Sequence, residues 1–428
     1  MLSTSLKVSL GGLFIVFCSL STQAQGLGNS PYSALGMGEL YGNAFAPNLA
    51  MGGTGVSTAN GFYINALNPA LLIRNRYTTF DVGVIGQYHI LQDPRQRQKE
   101  FGGNLGYLAL SFPAAKNWTT GISLRPYSYI NYQQKTFGKV GTTIYEATYT
   151  YEGKGGYNTV NFTNGFRVGK NLNLGIETAL LFGGVNQKAQ SQLQIGDGKD
   201  YLVSRNDRFN VSNLLLKVGA AYRQPLKQKE KFVNFGMTYD FKSRLSGQKT
   251  NTFEVNSAGG APLTNPDTLL HTTGSSLATL PQAVRIGISY EKLYNLVVAF
   301  DYQSQSWANF VNSNGKSDGL RNNNSYHFGV EYMPKFTSSK YFDVIWYRAG
   351  VSYTQTPFLI ASNPINDFNV SLGLGLPVGQ KYVNMVNLSV VAGQRGGISE
   401  STFREQYIKI VVGLSLKDDR WFQKFKVD

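Results

Sequence analysis

The sequence predicts an all-β fold, a transmembrane antiparallel up-and-down β-barrel of about fourteen strands, and three observations predict it. The first is composition. Of 428 residues only 15% are charged, while 13% are aromatic, with 26 Tyr, 26 Phe and 47 Gly. A soluble domain carries roughly 25% charged residues. A helical membrane protein would be far more apolar than a mean hydropathy of −0.21. A barrel with an apolar outer face and a polar lumen averages to such a value. The second observation is a period-two pattern from Tyr77 onward, and the third is a regular alternation of short and long connections.

Taken in order, the chain opens on a targeting segment. Lys7 precedes an apolar run from Val8 to Leu20, and Thr22-Gln23-Ala24 offers small residues for cleavage near Ala24 or Gln25. Residues 1–24 read as a secretory signal peptide, since the run is short for a membrane helix of roughly 20 residues. Cys18, the only cysteine, lies inside it. The exported chain therefore has no thiol for a disulfide, a metal or a nucleophile. Residues 25–76 are rich in small residues, with Met51-Gly52-Gly53-Thr54-Gly55 and Asn68-Pro69-Ala70-Leu71-Leu72, and read as turns and short helices.

The barrel is expected over 77–416. Phe368, Val370, Leu372, Leu374 and Leu376 alternate with Asn369, Ser371, Gly373 and Gly375. The same pattern runs through Val284–Tyr290, Tyr326–Tyr332 and Ile408–Leu416. One face is apolar and the other small or polar. This period alone leaves two readings open, a soluble sandwich with the apolar face inside and a barrel with that face in lipid. The connections favour the barrel. Short links such as Ala114-Ala115-Lys116-Asn117 and Lys170-Asn171 alternate with long polar ones at 91–101, 132–142, 191–206, 248–280, 307–322, 356–365 and 396–402. Periplasmic turns and extracellular loops have this rhythm, and an even strand number closes the wall without lipid-exposed edges. Tyr and Phe near strand ends suit interfacial girdles. Residues 417–428 are expected as a periplasmic tail. The destination is the outer membrane of a Gram-negative bacterium.

Several residues carry a resemblance. Leu280-Pro281-Gln282-Ala283-Val284-Arg285-Ile286-Gly287, with Asp301-Tyr302, Trp307 and Phe310 on the return, resembles the late hairpin of FadL-type outer-membrane transporters. Tyr347-Arg348-Ala349-Gly350-Val351-Ser352-Tyr353 followed by Pro357 resembles that family's next strand. Asn68-Pro69-Ala70 resembles part of its N-terminal hatch. Ser30-Pro31-Tyr32-Ser33, Gly413-Leu414-Ser415-Leu416 and Trp421-Phe422 are similar to FadL-like proteins of the Bacteroidetes. The resemblance implies a monomeric barrel of fourteen strands with residues 25–76 as a hatch inside the lumen. It implies passive uptake of a fatty-acid-like or hydrocarbon-like small molecule. The alternative is a FadL-like partner or escort barrel of a type IX protein secretion system, whose partners would be secretion proteins.

Signals for other chemistry are poor. His89, His271 and His327 lie far apart, with no metal-ligand spacing, so neither catalysis nor a metal or cofactor is expected. Gly52-Gly53-Thr54-Gly55 has no Lys-Ser/Thr after it and reads as a tight turn rather than a phosphate loop. The formal charge of +15 is spread over loops and turns. A basic rim suits the phosphates of outer-membrane lipids and lipopolysaccharide better than nucleic acid. Alternation puts Arg125, Glu177, Lys217, Asp240, Arg285, Asp301, Glu331, Arg348 and Lys409 on the lumen face, where mixed signs suggest paired networks. Arg285 and Arg348 are the candidates for gripping a ligand head group, since a guanidinium holds a carboxylate in a bidentate way. Pro126 interrupts Gly121-Ile122-Ser123-Leu124-Arg125-Pro126-Tyr127 and cannot donate to a ladder. It marks either a kink or gap in strand three, which the resemblance makes a lateral opening, or a ragged strand end beyond the membrane.

Overall fold

The structure, a computed structural model, describes residues 27–140, 142, 145–194, 201–228, 230–257, 271–379, 384–399 and 402–418. The expected signal peptide and the tail from 419 lie outside these residues, as does the middle of the 248–280 connection.

A short strand β1 (Glu39–Leu40) and a helix α1 (Ala46–Leu49) precede the wall. The wall is β2 (Thr78–Gln92), β3 (Arg97–Ala115), β4 (Trp118–Lys139), β5 (Glu146–Val168), β6 (Leu172–Gln194), β7 (Tyr201–Pro225), β8 (Lys231–Asp240), β9 (Ser243–Ser257), β10 (His271–Leu280), β11 (Ala283–Lys292), β12 (Leu296–Gln305), β13 (Asn323–Tyr332), β14 (Trp346–Ile360), β15 (Asn363–Val378), β16 (Asn384–Arg395) and β17 (Arg404–Asp418). β8 and β9 are two halves of one span, as are β10 and β11, so the barrel has fourteen spans. Each span pairs antiparallel with the next, and β17 pairs with β2 from Arg404↔Gln92 to Asp418↔Thr78, which closes the ring.

The alternation settles which face is which. Ile286, Phe328, Leu372 and Ile410 are exposed on the outside, Leu372 at 61% and Ile410 at 50%. In a soluble sandwich these would be the core. A closed barrel girdled by such residues is an outer-membrane protein, because only closure satisfies every backbone group against lipid.

The wall is uneven in height. β5, β6 and β7 have 23, 23 and 25 residues, whereas β12 and β13 have 10 each. Much of what the sequence offers as loop at 132–142, 191–206 and 248–280 is strand: β4 runs to Lys139, β6 to Gln194 and β9 to Ser257, and β7 begins at Tyr201. Above the membrane both faces meet water, so the apolar alternation disappears. The ladder nonetheless continues, since Thr, Tyr and Val suit a strand. Before β14, which begins at Trp346, Tyr341–Asp343 form a 3-10 turn. β17 runs two residues past the expected barrel boundary at 416.

Residues 27–76 pack against inward-facing glycines of the wall. A Cβ on Gly175, Gly219 or Gly236 would come within 3.0 Å of Ala70, Asn68 or Val56, and on Gly329, Gly350 or Gly373 of Met51, Gly52 or Ala50. Gly175↔Gly219 and Gly329↔Gly350 are cross-strand pairs, so these glycines form a belt around the inner wall. Close backbone approach is what only glycine permits. The segment's own turns are capped locally. The Asn68 side chain accepts from Ala70 N–H at the start of the 3-10 helix Pro69–Arg74, and its amide donates to Val56 O at 2.7 Å and Ala220 O at 3.1 Å.

Candidate functional site in the lumen

A cavity of about 350 Å³ lies between residues 35–56 and the upper wall. Its apolar lining includes Leu40, Val56, Leu215, Trp307, Leu320 and Phe358, and its polar lining includes Arg285, Asp301 and Lys409. An apolar cluster sits over it, joining Trp307, Phe310, Leu320 and Phe358 to Tyr157, Leu181, Phe209 and Leu245 of the tall wall. The connection after β12 is held down there by Arg321, which donates to Thr356 O at 2.8 Å and Ile365 O at 2.7 Å.

Most charges on the lumen face are paired. Glu177 takes Arg125 at 2.9 Å and Lys217 at 3.0 Å, tying β4, β6 and β7. Asp301 accepts from Gly55 N–H at 2.7 Å and Val56 N–H at 2.9 Å. Arg348 is buried, bound to Glu331 at 2.7 Å and to the Asn387 amide oxygen at 3.1 Å, and it does not line the cavity. Arg285 lines the cavity, makes no ion pair among the described residues, and has a buried Nε without a hydrogen-bond partner. The two arginines chosen from sequence are thus far from equivalent. Among the described residues no three His, Cys, Asp or Glu side chains gather as a metal site.

Pro126 stands where β4 loses a neighbour. β3 and β4 pair only from Ala115↔Trp118 up to Leu108↔Leu124. Above that level β4 stays paired with β5, with a bulge between Pro126 and Ser128, while β3 stays paired with β2. The vacated edge of β4 is taken by the chain's own N-terminal segment. β1 pairs Glu39↔Tyr129 and Leu40↔Ser128, Tyr41 N–H donates to Tyr127 O at 3.1 Å, and Ser30 N–H donates to Asn131 O at 2.9 Å.

A cluster that sequence reasoning missed secures this segment. Arg395 reaches Glu39 at 2.9 Å, Asp367 at 3.0 Å and Glu405 at 3.7 Å. Glu405 also takes His89 at 2.8 Å and Ser30 Oγ at 3.2 Å. Burial would raise the Glu39 carboxyl, but Arg395 beside it outweighs burial and holds it at about 2. The available signal was inward alternation, which puts Asp367 opposite Phe368 and Glu405 on the face away from Ile408. Nothing in the sequence pairs those positions with Glu39. His327 is likewise structural, its Nδ1 2.7 Å from Gly52 O.

Solved structures share this fold. A FadL homologue from Pseudomonas aeruginosa matches with a TM-score of 0.57 at 14% identity, over 89% of this chain and 99% of that one. The toluene transporter TodX of P. putida gives 0.56 at 16% identity over 89% and 99%. The toluene transporter TbuX of Ralstonia pickettii gives 0.53 at 15% over 88% and 98%. At such identities the likeness speaks for the fold. No curated protein matches the chain. The profile of the family described as BamG matches residues 9–428, and with nearly the whole length matched, the chain belongs to the BamG family.

Proposed function

We propose that the barrel is a passive outer-membrane channel for hydrophobic small molecules, fatty-acid-like or hydrocarbon-like, with residues 25–76 as its hatch. The observation that supports this best is a cavity with an apolar side that also holds Arg285, which like Lys409 makes no ion pair among the described residues, in a lumen where most other charges are paired. An apolar tail would lie against Leu40, Val56 and Phe358, and a carboxylate would meet the guanidinium. Arg348 would shape the lumen through Glu331. Movement of the hatch would pass the molecule on, and it would leave sideways beside Pro126, where β4 has no β3 partner above Leu124. Asn68, Pro69 and Ala70 would anchor the hatch through that motion. Fluorescence titration of purified barrel with cis-parinaric acid tests the site. Saturable binding weakened about tenfold or more by Arg285→Ala is expected, and absence of saturable binding refutes the reading.

A second reading has its own observation. β4 to β7 stand well above β12 and β13, so one side of the barrel offers a tall extracellular sheet. That surface suits the partner or escort role in a secretion system. Capture of a secretion component that survives loss of amphiphile binding would favour it.

A further inference from the structure

The wall lapses at a second place, and there the cavity reaches it. β7 pairs with β8 from Pro225↔Phe232 to Lys217↔Asp240, and with β9 from Val211↔Gly247 to Tyr201↔Ser257. Between these ladders residues 212–216 face residues 241–246 without register pairing, five against six. Phe241 N–H to Leu216 O at 3.0 Å, Ser243 Oγ–H to Leu214 O at 3.3 Å and the Asn213 amide to Arg244 O at 3.3 Å span the interval. The next span breaks at the same level, at Pro281-Gln282, since Asp240 pairs with Ala283 and Ser243 with Leu280.

Strand alternation turns Leu216 and Phe241 outward, and both are exposed, at 37% and 41%. Both nevertheless line the lumenal cavity, together with Leu215, Leu280 and Pro281. Here the wall between the cavity and the outer face is held by the three hydrogen bonds above rather than by a register ladder. The β3–β4 lapse differs, because there residues 30–41 fill the edge and no β3 residue lines the cavity. The extracellular side is covered by the cluster of Trp307, Phe310 and Leu320.

We propose that the interval between β7 and the β8–β9 break is a side door through which a single-chain amphiphile with an anionic head passes from the outer leaflet into the cavity. The break lies ten residues up β8 from its periplasmic start, which places it near the upper edge of a membrane crossed by roughly 9–11 residues. Exposed Lys242 and Arg244 flank it at head-group level and Arg285 waits inside, so the cations lead from the mouth to the cavity. This rests on the uptake reading, adding a way in that is distinct from the way out beside Pro126.

The test uses the full barrel in liposomes with Cys18→Ser, and Leu214→Cys with Ser243→Cys joined by a short bismaleimide. Dodecanoate and dodecanol carrying a fluorescent tail are delivered from donor vesicles. Joining the two strands should slow dodecanoate transfer at least tenfold while binding at equilibrium in detergent is unchanged. The pair Lys242→Ala and Arg244→Ala should slow dodecanoate several-fold and leave dodecanol alone. Transfer that ignores the cross-link overturns the side door and leaves the uptake reading standing. Equal effects on acid and alcohol overturn the anionic head group. Absence of binding by any variant, cross-linked or not, overturns the uptake reading itself.

Discussion

Arg395 on β16 reaches Glu39 on β1 at 2.9 Å and so fastens the strand that stands in for β3 to the wall beyond β2 and β17. The same guanidinium holds Asp367 and Glu405, and Glu405 holds Ser30. Both ends of the segment lying along β4 are therefore secured from β15 to β17. A lateral lapse in lipid leaves backbone groups that must find partners. Here the chain's own start supplies them on the β4 side.

Glu39→Gln should loosen this fastening. Arg395 keeps Asp367 and Glu405, so the cost falls below the roughly 3–5 kcal/mol of breaking an isolated buried pair. Amides of residues 30–41 should exchange faster with deuterium by tenfold or more while those of β14–β16 are unchanged. Because the folded carboxyl sits at about 2, below its ordinary 4.5, the contribution is complete above pH 4.5 and is lost as pH falls towards 2. Uniform exchange across the segment and the wall would show that Glu39 does not fasten it.

Gly219→Val should displace the segment around Asn68. The new side chain would meet Asn68 and the Pro69 ring within 3.0 Å, and neither is a flexible tip. Overpacking of this kind costs about 1–3 kcal/mol. The barrel's heat-modifiable migration in SDS should shift to lower temperature. Gly397→Val, where a Cβ meets nothing, is the control.

The membrane-facing half of this fold was legible because lipid imposes a period on the sequence: Ile286, Phe328 and Leu372 had to alternate with small residues. That period vanishes where strands rise into water, so β4 beyond Asn131 and β7 before Asp207 read as loop. The lumen was half legible. Alternation put Arg285 and Arg348 on the same face, but Arg348 finds Glu331 through the neighbouring strand and Arg285 finds no such partner among the described residues, and register decides that. The edge left open above Leu124 was signalled by Pro126. Its occupant was not, because Glu39-Leu40 is two residues long and its pairing with β4 spans about ninety residues of chain.

The orientation can be read with cysteines on a Cys18→Ser background. Arg95 lies in the connection between β2 and β3, and Lys227 in the link between β7 and β8; both are exposed. If both chain ends are periplasmic, Arg95→Cys should react with an impermeant maleimide on intact cells and Lys227→Cys only after lysis. The reverse pattern refutes the orientation.

Deleting residues 30–72 should raise single-channel conductance in planar bilayers several-fold. The segment fills the belt of inward glycines, and its removal leaves Gly175, Gly236 and Gly350 facing an empty lumen. The deletion also removes Asn68 and Glu39, so folding is checked by the heat-modifiable band before conductance is measured. A folded barrel with unchanged conductance would mean that residues 30–72 do not occlude the pore.

Pro126 carries the last prediction. The bulge between Pro126 and Ser128 shifts β4 against β5, and it begins two residues above the last β3 pair at Leu124. Proline fixes φ and withholds a donor, so β4 cannot run straight on beside β3 at this level. Val at this position supplies an N–H and a side chain suited to a strand. Pro126→Val should leave the barrel as heat-stable as before or slightly more so, and let β4 extend its pairing toward β3. If molecules leave the lumen here, release of bound cis-parinaric acid into acceptor vesicles should slow several-fold, while its affinity in detergent, set by Arg285 and the cavity, stays the same. Release at the original rate from a folded variant would separate the exit from Pro126. The lapse above Leu124 would then be a seat for β1 rather than a door, and the partner reading would gain.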